Sequence, residues 1–242
     1  MMNKYYYDLH IHSCLSPCAD NDSTPASIAG MAALIGLDIV ALTDHNSSRN
    51  CPAFFEAARE YGIIAIAGME LTTSEDVHMV CLFPTLDSAL AFNDFVDERR
   101  MNIKNRPEIF GEQYICNAGD EIIGEIEELL SVATDVSVDE LPMIVDAYGG
   151  ICYPAHIDRE ANGIIAVLGT LPETPRFNTV ELRDSDKLSE YTALYSLEEK
   201  TVVFNSDSHV LGVMNEREHF FEMTADRGDT DAIIAEMFRQ MR

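Results

Sequence analysis

Residues 8–13 of this chain read Asp-Leu-His-Ile-His-Ser, at the end of an apolar and aromatic run that begins at Tyr5. We predict a first strand over residues 5–9, with the two histidines directly after it. Alternate residues of an extended chain point to the same side, so His10 and His12 present their imidazoles on one face and can bind one metal ion together. Alone, an H-x-H pair is a weak signal, and its weight depends on the residues farther along the chain.

Short apolar runs alternate with amphipathic stretches over the rest of the chain, a rhythm typical of βαβ units in a parallel sheet or barrel. The expected fold class is therefore α/β. Thr24 before Pro25, and Ser137 with Glu140, have the spacing of helix N-terminal caps. The predicted strands cover residues 5–9, 38–42, 63–67, 77–83, 151–153, 179–182 and 201–205, with an edge strand at 218–223. The predicted helices cover residues 25–35, 52–61, 86–100, 137–148 and 229–241.

Side chains that bind transition metals recur at the ends of these predicted strands. The carboxyl ends of parallel strands meet at one rim of a barrel, so residues distant in sequence can reach the same ion there. Imidazole and carboxylate are both ligands of transition metals. The candidate ligands are His10, His12, His45, Glu70, His78, His156, Asp207 and His209.

Residues 101–137 do not follow this alternation of predicted strands and helices. Residues 113–116, a turn at 117–120 and residues 122–126 predict a hairpin. We interpret the segment as an insertion into a single barrel domain that spans residues 1–242. It is either a lid that selects the substrate or a segment that packs against the barrel edge or a partner subunit.

The composition restricts the partners. A formal net charge of −26 would repel a long nucleic-acid backbone, so we expect a small phosphorylated substrate and no duplex nucleic acid. No apolar run has the length of a membrane span, and no signal peptide opens the chain, so we expect a cytoplasmic protein without a membrane partner. The six cysteines lie mostly within apolar runs and are expected to be free thiols. The pattern specifies no oligomeric state.

Taken in order, these motifs resemble those of the PHP (polymerase and histidinol phosphatase) family of metal-dependent phosphoesterases, over nearly the whole chain. Within that family the chain is most similar to short bacterial enzymes that dephosphorylate nucleoside monophosphates or 3′,5′-bisphosphates. The resemblance rests on Asp8-Leu9-His10-Ile11-His12-Ser13, Thr43-Asp44-His45, Gly68-Met69-Glu70, Pro154-Ala155-His156 and Ser206-Asp207-Ser208-His209.

The resemblance implies a distorted (β/α)7 TIM-like barrel with two to three divalent transition metals, manganese, iron or zinc, at its C-terminal rim. The first metal would be held by His10, His12, Glu70 and Asp207. The second would be held by Glu70, His78 and His156, so that Glu70 bridges the two ions. His45 and His209 would hold the third.

The third site departs from the family pattern. Its remaining ligand is usually a histidine or aspartate a few residues after H-x-H, whereas this chain reads Ser16-Pro17-Cys18-Ala19-Asp20. Either Cys18 or Asp20 could serve. A thiolate would favour zinc or iron at this site, and a carboxylate would favour manganese or magnesium.

The activity that we expect is hydrolysis of a nucleotide, or of a sugar or amino-alcohol phosphate, by attack of metal-bound hydroxide on phosphorus. Asp207 and His209 would act at the metals, with His209 also near the phosphate. Arg159 is the first candidate for a phosphate clamp, because a guanidinium matches phosphate bidentately. Arg183 and Arg49 are the further candidates.

Three other functions remain open. An exonuclease acting on short oligonucleotides would use the same metals. An amidohydrolase also begins with H-x-H, but many of its binuclear members bridge their metals with a carbamylated lysine, where this chain has Glu70. A regulator that binds metal without catalysis is the alternative that is not an enzyme.

Several residues have more than one interpretation. Asp8 and Asp44 could orient His10 and His45, or Asp44 could bind a metal directly. The cations between residues 99 and 106 could steer a nucleotide, or they could complement the carboxyl end of a helix, which we favour. We expect His219 to have a structural role only.

Overall fold

The computed structural model describes residues 2–242, and most of its strands belong to one mixed sheet. The main sheet has the order β10-β1-β2-β3-β4-β7, and β8-β9 and β5-β6 are separate pairs. The strands are β1 (Asn3–Ile11), β2 (Ile39–Leu42), β3 (Ile64–Thr72), β4 (His78–Phe83), β5 (Tyr114–Cys116), β6 (Ile122–Glu125), β7 (Ile151–Pro154), β8 (Thr179–Leu182), β9 (Thr201–Phe204) and β10 (Phe220–Met223).

The β8-β9 pair closes the sheet into a ring. The Ile157 amide, just after β7, donates to the carbonyl of Glu181 in β8 at 2.9 Å. Beyond β9, the His12 amide donates to the Ser208 carbonyl at 2.9 Å, which joins β9 to β1. The strands β1, β2, β3, β4, β7, β8 and β9 therefore form a distorted TIM-like barrel, which confirms the expected α/β fold class. Strand β10 pairs antiparallel with β1 outside the ring.

The all-parallel arrangement expected from the rhythm does not hold for β4. This strand is antiparallel to both β3 and β7, and Thr72 lies opposite His78. Only residues 73–77 separate β3 from β4. A parallel connection needs a crossover of a dozen or more residues, so these two strands form a hairpin instead. The reversal brings the start of β4 to the rim where the other strands end.

Alternate residues of the strands pack on the two faces of the barrel wall. In β2, Ile39 and Ala41 belong to the inner cluster of buried side chains, while Val40 and Leu42 belong to the cluster beneath the outer helices. The inner cluster also contains apolar residues of the C-terminal helix, which covers the barrel end opposite the histidines. The core therefore has one layer inside the barrel and one outside it.

A register shift in β1 sets the direction of its histidines. The pairing of β1 with β2 is irregular between Asp8 and Ile11. Leu9 packs in the inner cluster, and simple alternation would then turn His10 outward. Because of the shift, Ile11 packs in the outer cluster and the histidines on either side of it face the interior.

The helices surround the barrel, and none of the described helices has both the length and the apolar character needed to cross a bilayer. Thr24 accepts a hydrogen bond from the Ser27 amide at the start of α1, and Gly36 ends that helix with φ of 88°. The helices are α1 (Pro25–Ile35), α2 (Cys51–Tyr61), α3 (Leu86–Asp97), α4 (Pro107–Phe110), α5 (Leu141–Ala147), α6 (Ile164–Leu168), α7 (Leu188–Tyr195) and α8 (Thr230–Met241).

Two helix boundaries differ from the prediction by three residues or more. Helix α3 ends at Asp97, three residues before the expected end. Helix α5 begins at Leu141, although Ser137 and Glu140 do make their capping hydrogen bonds one turn earlier. The sequence pattern also missed α4, α6 and α7, which lie in segments with weak periodicity. The hairpin predicted inside residues 101–137 is present as β5 and β6.

Candidate metal centre

Glu70 is the centre of the site. It lies near the end of β3, it is fully buried, and its two carboxylate oxygens face imidazole nitrogens from several strands. Oε1 lies 2.8 Å from His78 Nδ1, 3.0 Å from His156 Nε2 and 3.3 Å from His10 Nε2, and Oε2 lies 3.0 Å from His45 Nδ1 and 3.3 Å from His12 Nε2. His78 reaches this centre because β4 is reversed, so that the start of its strand lies at the rim.

Asp207 completes a four-residue group. Its Oδ1 lies 3.3 Å from His12 Nε2 and 3.6 Å from His10 Nε2. These three residues and Glu70 each place one ligand atom within 4.8 Å of the others. They are the residues expected to share the first metal.

Two further groups adjoin the first. His45, Glu70 and His78 place their ligand atoms within 4.8 Å of one another, as do His12, His45 and His209. His156 lies on the other side of Glu70 Oε1. His45 therefore stands between the second and third groups, whereas the family pattern assigned it to the third alone.

Cys18 and Asp20 lie differently at the third group. The Cys18 thiol lies against His45 and His209: desolvation alone would raise its pKa, but hydrogen bonds from these imidazoles lower the pKa of Cys18 to about 5. Asp20 is exposed, and its carboxylate accepts a hydrogen bond from the Asp22 amide at 3.0 Å. Of the two candidates, Cys18 is the one beside the imidazoles.

Several buried polar atoms at the centre lie close to one another but make no hydrogen bond of normal geometry within residues 2–242. Leaving such an atom unsatisfied costs about 1–3 kcal/mol, so a group of them facing one space indicates a bound partner. Carboxylate oxygens and imidazole lone pairs together suit manganese, iron or zinc, so these residues fit the metals that the family resemblance implies. The atoms that face the centre are Nδ1 of His45 and His78, Oε2 of Glu70 and Oδ1 of Asp207.

The charges at the centre depend on one another. Burial would raise the pKa of Glu70, but the neighbouring imidazoles of His78, His10 and His45 hold it well below its usual range. Burial would lower the pKa of His45, yet Glu70 and Cys18 raise it to about 10. The carboxylate therefore stays charged and the imidazole holds a proton in the metal-free protein. Metal ions would displace such protons on binding.

Two of these residues have an unusual backbone conformation. His156 has φ of 29° and Asp207 has φ of 49°. Positive φ is uncommon for residues other than glycine and is concentrated at functional sites, where the surrounding structure enforces it. The backbone thus turns sharply at the points where β7 and β9 deliver their side chains to the rim.

Glu181 is the most important residue that the sequence reasoning missed. It is fully buried in β8, and the Nδ1–H of His10 donates to its Oε1 at 2.9 Å. The same carboxylate accepts from the His156 amide at 3.0 Å and from Nδ2 of Asn205 at 2.7 Å. It fixes the tautomer of His10 and turns Nε2 toward the site. The signal in the sequence was a lone charged residue inside the apolar run 179–182.

Asp44 and Asp8 bind the loops at the rim, and neither carboxylate hydrogen-bonds to the imidazole that it was expected to orient, His45 for Asp44 and His10 for Asp8. Asp44 accepts hydrogen bonds from Ser13 and from Ser16 Oγ, each at 2.7 Å, and Ser16 Oγ lies 3.0 Å from His12 Nδ1. Asp44 thereby orients His12 through a serine. Asp8 accepts from the amides of Ser206 and Asn215, so its carboxylate holds the loop after β9 and does not orient the His10 imidazole, which bonds to Glu181.

The three arginine candidates lie in different places. Arg159 donates to Asp207 Oδ2 at 2.6 Å, and Arg183 Nη1 lies 4.0 Å from the same oxygen. Their side chains are 42% and 44% exposed, so both border the mouth of the site. Arg49 pairs instead with Asp97 at 2.6 Å and lines a cavity of about 480 Å³ beside the insertion.

The cations near the end of α3 make local contacts. Arg99 donates to the Phe95 carbonyl and lies over the Phe95 ring, and Arg100 pairs with Asp97 at 2.9 Å. Helix α3 ends before them, but Arg99 still bonds to one of its last carbonyls. His219 stacks on Phe204 with ring centroids 4.8 Å apart, away from the other histidines.

The insertion packs against the loops that carry the ligands. The side-chain amide of Asn46, next to His45, donates to the carbonyls of Leu130 and Val132 at 2.6 and 2.7 Å. The Tyr114 amide donates to the carbonyl of Cys14, in the loop after His12. These contacts connect residues 101–137 to the rim on which the site is built.

A family model described as the PHP domain matches residues 8–148. The error-prone DNA polymerase of Nocardia farcinica is 40% identical over 67 residues, which are 28% of this chain and 6% of that polymerase. The chain thus matches only a small part of the length of such curated relatives.

Two solved structures have a similar fold. A candidate metal-dependent phosphoesterase from Bifidobacterium adolescentis superposes with a TM-score of 0.61 at 16% identity, over 98% of this chain and 96% of that one. The lesion-specific endonuclease PfuEndoQ from Pyrococcus furiosus has a TM-score of 0.60 at 20% identity, over 87% of this chain and 49% of that one. At these identities the likeness concerns the fold.

Proposed function

This chain belongs to the PHP domain family, and on that basis we propose that it is a metal-dependent phosphoesterase acting on a small phosphorylated substrate, a nucleotide or a sugar or amino-alcohol phosphate. The observation that carries the proposal is the ring of buried imidazoles around Glu70 and Asp207 with their unsatisfied atoms. A purely structural role does not explain so many polar groups facing one buried space.

We assign the ligands in two overlapping sets. His10, His12, Glu70 and Asp207 form the first, which is supported by the mutual approach of their ligand atoms within 4.8 Å. Glu70, His78 and His156 form the second. Divalent metals held by these residues would supply an activated water molecule and would offset the charge of the phosphoryl oxygens. Glu181 and Asp44 keep His10 and His12 in the orientation that this binding requires.

Arg159 and Arg183 orient the phosphate in this proposal. Arg159 uses one nitrogen to hold Asp207, and its partly exposed guanidinium has further donors for phosphoryl oxygens. Arg183 approaches the same carboxylate from the neighbouring loop. His209 donates from Nδ1 to the Asp207 carbonyl at 2.9 Å, and its side chain also contacts the Cys18 thiol at the mouth.

A small substrate suits the charge of the chain. With a formal net charge of −26, the surface repels an extended polyanion, whereas a single phosphate needs only the metals and the two arginines. A second candidate is a phosphodiesterase on short oligonucleotides, which is favoured by Lys187 beside Asp158, next to the two arginines. Rates on oligonucleotides of increasing length separate the two, because a monoesterase acts only on a terminal phosphate.

The test combines elemental analysis of the purified protein with a panel of phosphoesters. We expect bound transition metal and turnover of at least one monoester, both reduced in His209→Ala. His219→Ala is the matched control, because His219 stacks on Phe204 outside the site and its loss should leave metal content and turnover unchanged. A metal-loaded protein that hydrolyses no phosphoester, or His209→Ala with unchanged metal content and turnover, contradicts the proposal.

A further inference from the structure

Asn50 lies at the N-terminal cap of α2 but does not use its side chain there. Asparagine is among the usual capping residues, yet the Asn50 side chain makes no capping hydrogen bond. The residue is fully buried, and its side chain bonds to the insertion instead. Its Oδ1 accepts from the Cys116 amide at 3.0 Å, and its Nδ2 donates to the Tyr114 carbonyl at 3.1 Å. Asn50 therefore bonds to the backbone of β5 as a neighbouring strand would.

The same amide nitrogen also reaches the loop that follows His12. Nδ2 of Asn50 donates to Ser13 Oγ at 2.9 Å. The Ser13 hydroxyl donates its only hydrogen to Asp44 Oδ2 at 2.7 Å, because a carboxylate can only accept, and it therefore accepts from Asn50. These three residues are at most 1% exposed, so bulk water does not compete for the bonds. Asn50 is thus joined to the carboxylate that orients His12.

The direction of these bonds fixes the tautomer of His12. Asp44 Oδ1 accepts from the Ser16 hydroxyl at 2.7 Å, which uses the one hydroxyl hydrogen of that serine. Ser16 Oγ can then only accept from His12 Nδ1, 3.0 Å away, so Nδ1 carries a proton. This leaves Nε2, which lies 3.3 Å from both Glu70 and Asp207, to bind the first metal.

We propose that Asn50 is a positioning residue for the first metal site, and that the insertion holds His12 in its binding orientation through Asn50. The bonds run from the backbone of β5 to His12 through four buried side chains, those of Asn50, Ser13, Asp44 and Ser16. Metal binding and the order of the insertion are then coupled, and by linkage each favours the other. The proposal rests on the metal-dependent function proposed above and gives the insertion a part in it.

Hydrogen exchange of the wild type tests the coupling without any substitution. Manganese is added to saturation to the metal-free protein, and exchange of the backbone amides is followed by mass spectrometry. We expect the metal to slow exchange in residues 101–137 by a larger factor than in α8, which covers the opposite end of the barrel. Equal slowing in the two segments, or none in the insertion, would overturn the proposal.

Asn50→Ala removes the bridge and leaves every proposed ligand in place. Loss of an outer partner lowers metal affinity about 10- to 100-fold, and we expect about 10-fold because Asn50 acts on His12 through three other side chains. The slowing of exchange that manganese causes in the insertion should shrink by the same factor. A purely structural role predicts faster exchange with and without metal alike and an unchanged affinity, measured by competition with a chromophoric chelator.

Asn93→Ala is the matched control for the loss of a buried asparagine. Asn93 is 1% exposed and also makes three hydrogen bonds outside this series, with Ser47, Ser48 and Asp97. We expect its loss to speed exchange locally and to leave the affinity for manganese unchanged. An equal loss of affinity in Asn50→Ala and Asn93→Ala would contradict a specific role of Asn50.

A double-mutant cycle tests the route from Asn50 to His12. Ser16→Ala removes the acceptor of His12 Nδ1–H, so adding Asn50→Ala to that variant should cost little further affinity. Fully additive losses would mean that Asn50 acts by another route and would overturn the proposal. If Asn50→Ala does not fold, the exchange of the wild type with and without manganese decides the question.

These outcomes are distinguishable from a failure of the proposed function, because no phosphoester is used. An insertion that responds to metal in a protein without phosphoesterase activity would refute the function and leave the role of Asn50 intact. Turnover by a protein whose insertion does not respond to bound metal would refute only the role of Asn50. A protein that binds no metal would refute both.

Discussion

Replacing Glu181 by glutamine should weaken both the fold and the first metal site. In the wild type the two oxygens of Glu181 accept hydrogen bonds from three donors: His10 Nδ1–H, the His156 amide and Asn205 Nδ2. The Asn205 amide cannot turn over to help, because its Oδ1 already accepts from the Leu9 amide at 2.9 Å. A glutamine has one acceptor oxygen, so its NH₂ group must face another donor.

The magnitude follows from these contacts. A buried donor without an acceptor costs about 1–3 kcal/mol, which is the expected loss of unfolding free energy in the metal-free protein. The neutral amide also no longer polarises His10, and loss of such an outer partner lowers metal affinity about 10- to 100-fold. The second effect corresponds to about 1.4–2.8 kcal/mol of binding free energy.

Urea unfolding of the metal-free protein measures the first effect, and competition with a chromophoric chelator measures the second. Glu199→Gln is the matched control, because the Glu199 side chain is 84% exposed and makes only a surface contact with Arg176. If Glu181→Gln binds metal as tightly as the wild type, the idea that Glu181 tunes His10 is wrong, whatever happens to stability. An unchanged free energy of unfolding would refute the claim that the substitution leaves a buried donor without an acceptor.

Three further predictions concern the frame of the site. Gly68→Ala should destabilise the fold by about 1–3 kcal/mol in urea unfolding, because the added Cβ would lie 2.5 Å from the Cys81 carbonyl of β4, whereas Gly212→Ala, in open space, should have little effect. Asn46→Ala should speed amide hydrogen exchange in residues 101–137, because it removes two side-chain hydrogen bonds to this insertion and one to the Thr72 amide. Asn46→Gly is the control for backbone strain, because glycine tolerates the φ of 46° at this position. Equal exchange rates in the wild type and in Asn46→Ala would refute this role of Asn46. Removal of metal by a chelator should lower Tm, and restoring the metal to 100 times its Kd should return about 2.7 kcal/mol; a Tm that does not respond to metal would contradict binding to the folded state.

The ligand candidates could be recognised in the sequence because they follow predicted strands in a fixed order. His10 and His12, Glu70 and His156 all lie at or just beyond strand ends, and the rim of a barrel brings such ends together. His78 was the exception, because it stands at the start of its strand. It reaches the centre only because β4 is reversed, and the short connection at residues 73–77 was the signal for that reversal.

Long-range contacts account for the residues that sequence reasoning placed differently. Asp8 precedes His10 by two positions, but its carboxylate bonds to amides near residues 206 and 215. Arg49 follows His45 closely, but α3 brings Asp97 to it. In each case the partner lies far away in the sequence, and local spacing carries no information about it.

The sequence by itself determined the α/β class, the positions of most strands and the kinds of side chain present at the rim, because these depend on local periodicity and residue chemistry. Only the tertiary structure decided how those side chains are oriented and shared. The register shift in β1 turns His10 and His12 inward, and Glu181 fixes the tautomer of His10. The loop after β1 places the Cys18 thiol, and not the Asp20 carboxylate, beside the imidazoles of His45 and His209. These outcomes depend on hydrogen bonds between segments distant in the chain, which form only when the barrel closes.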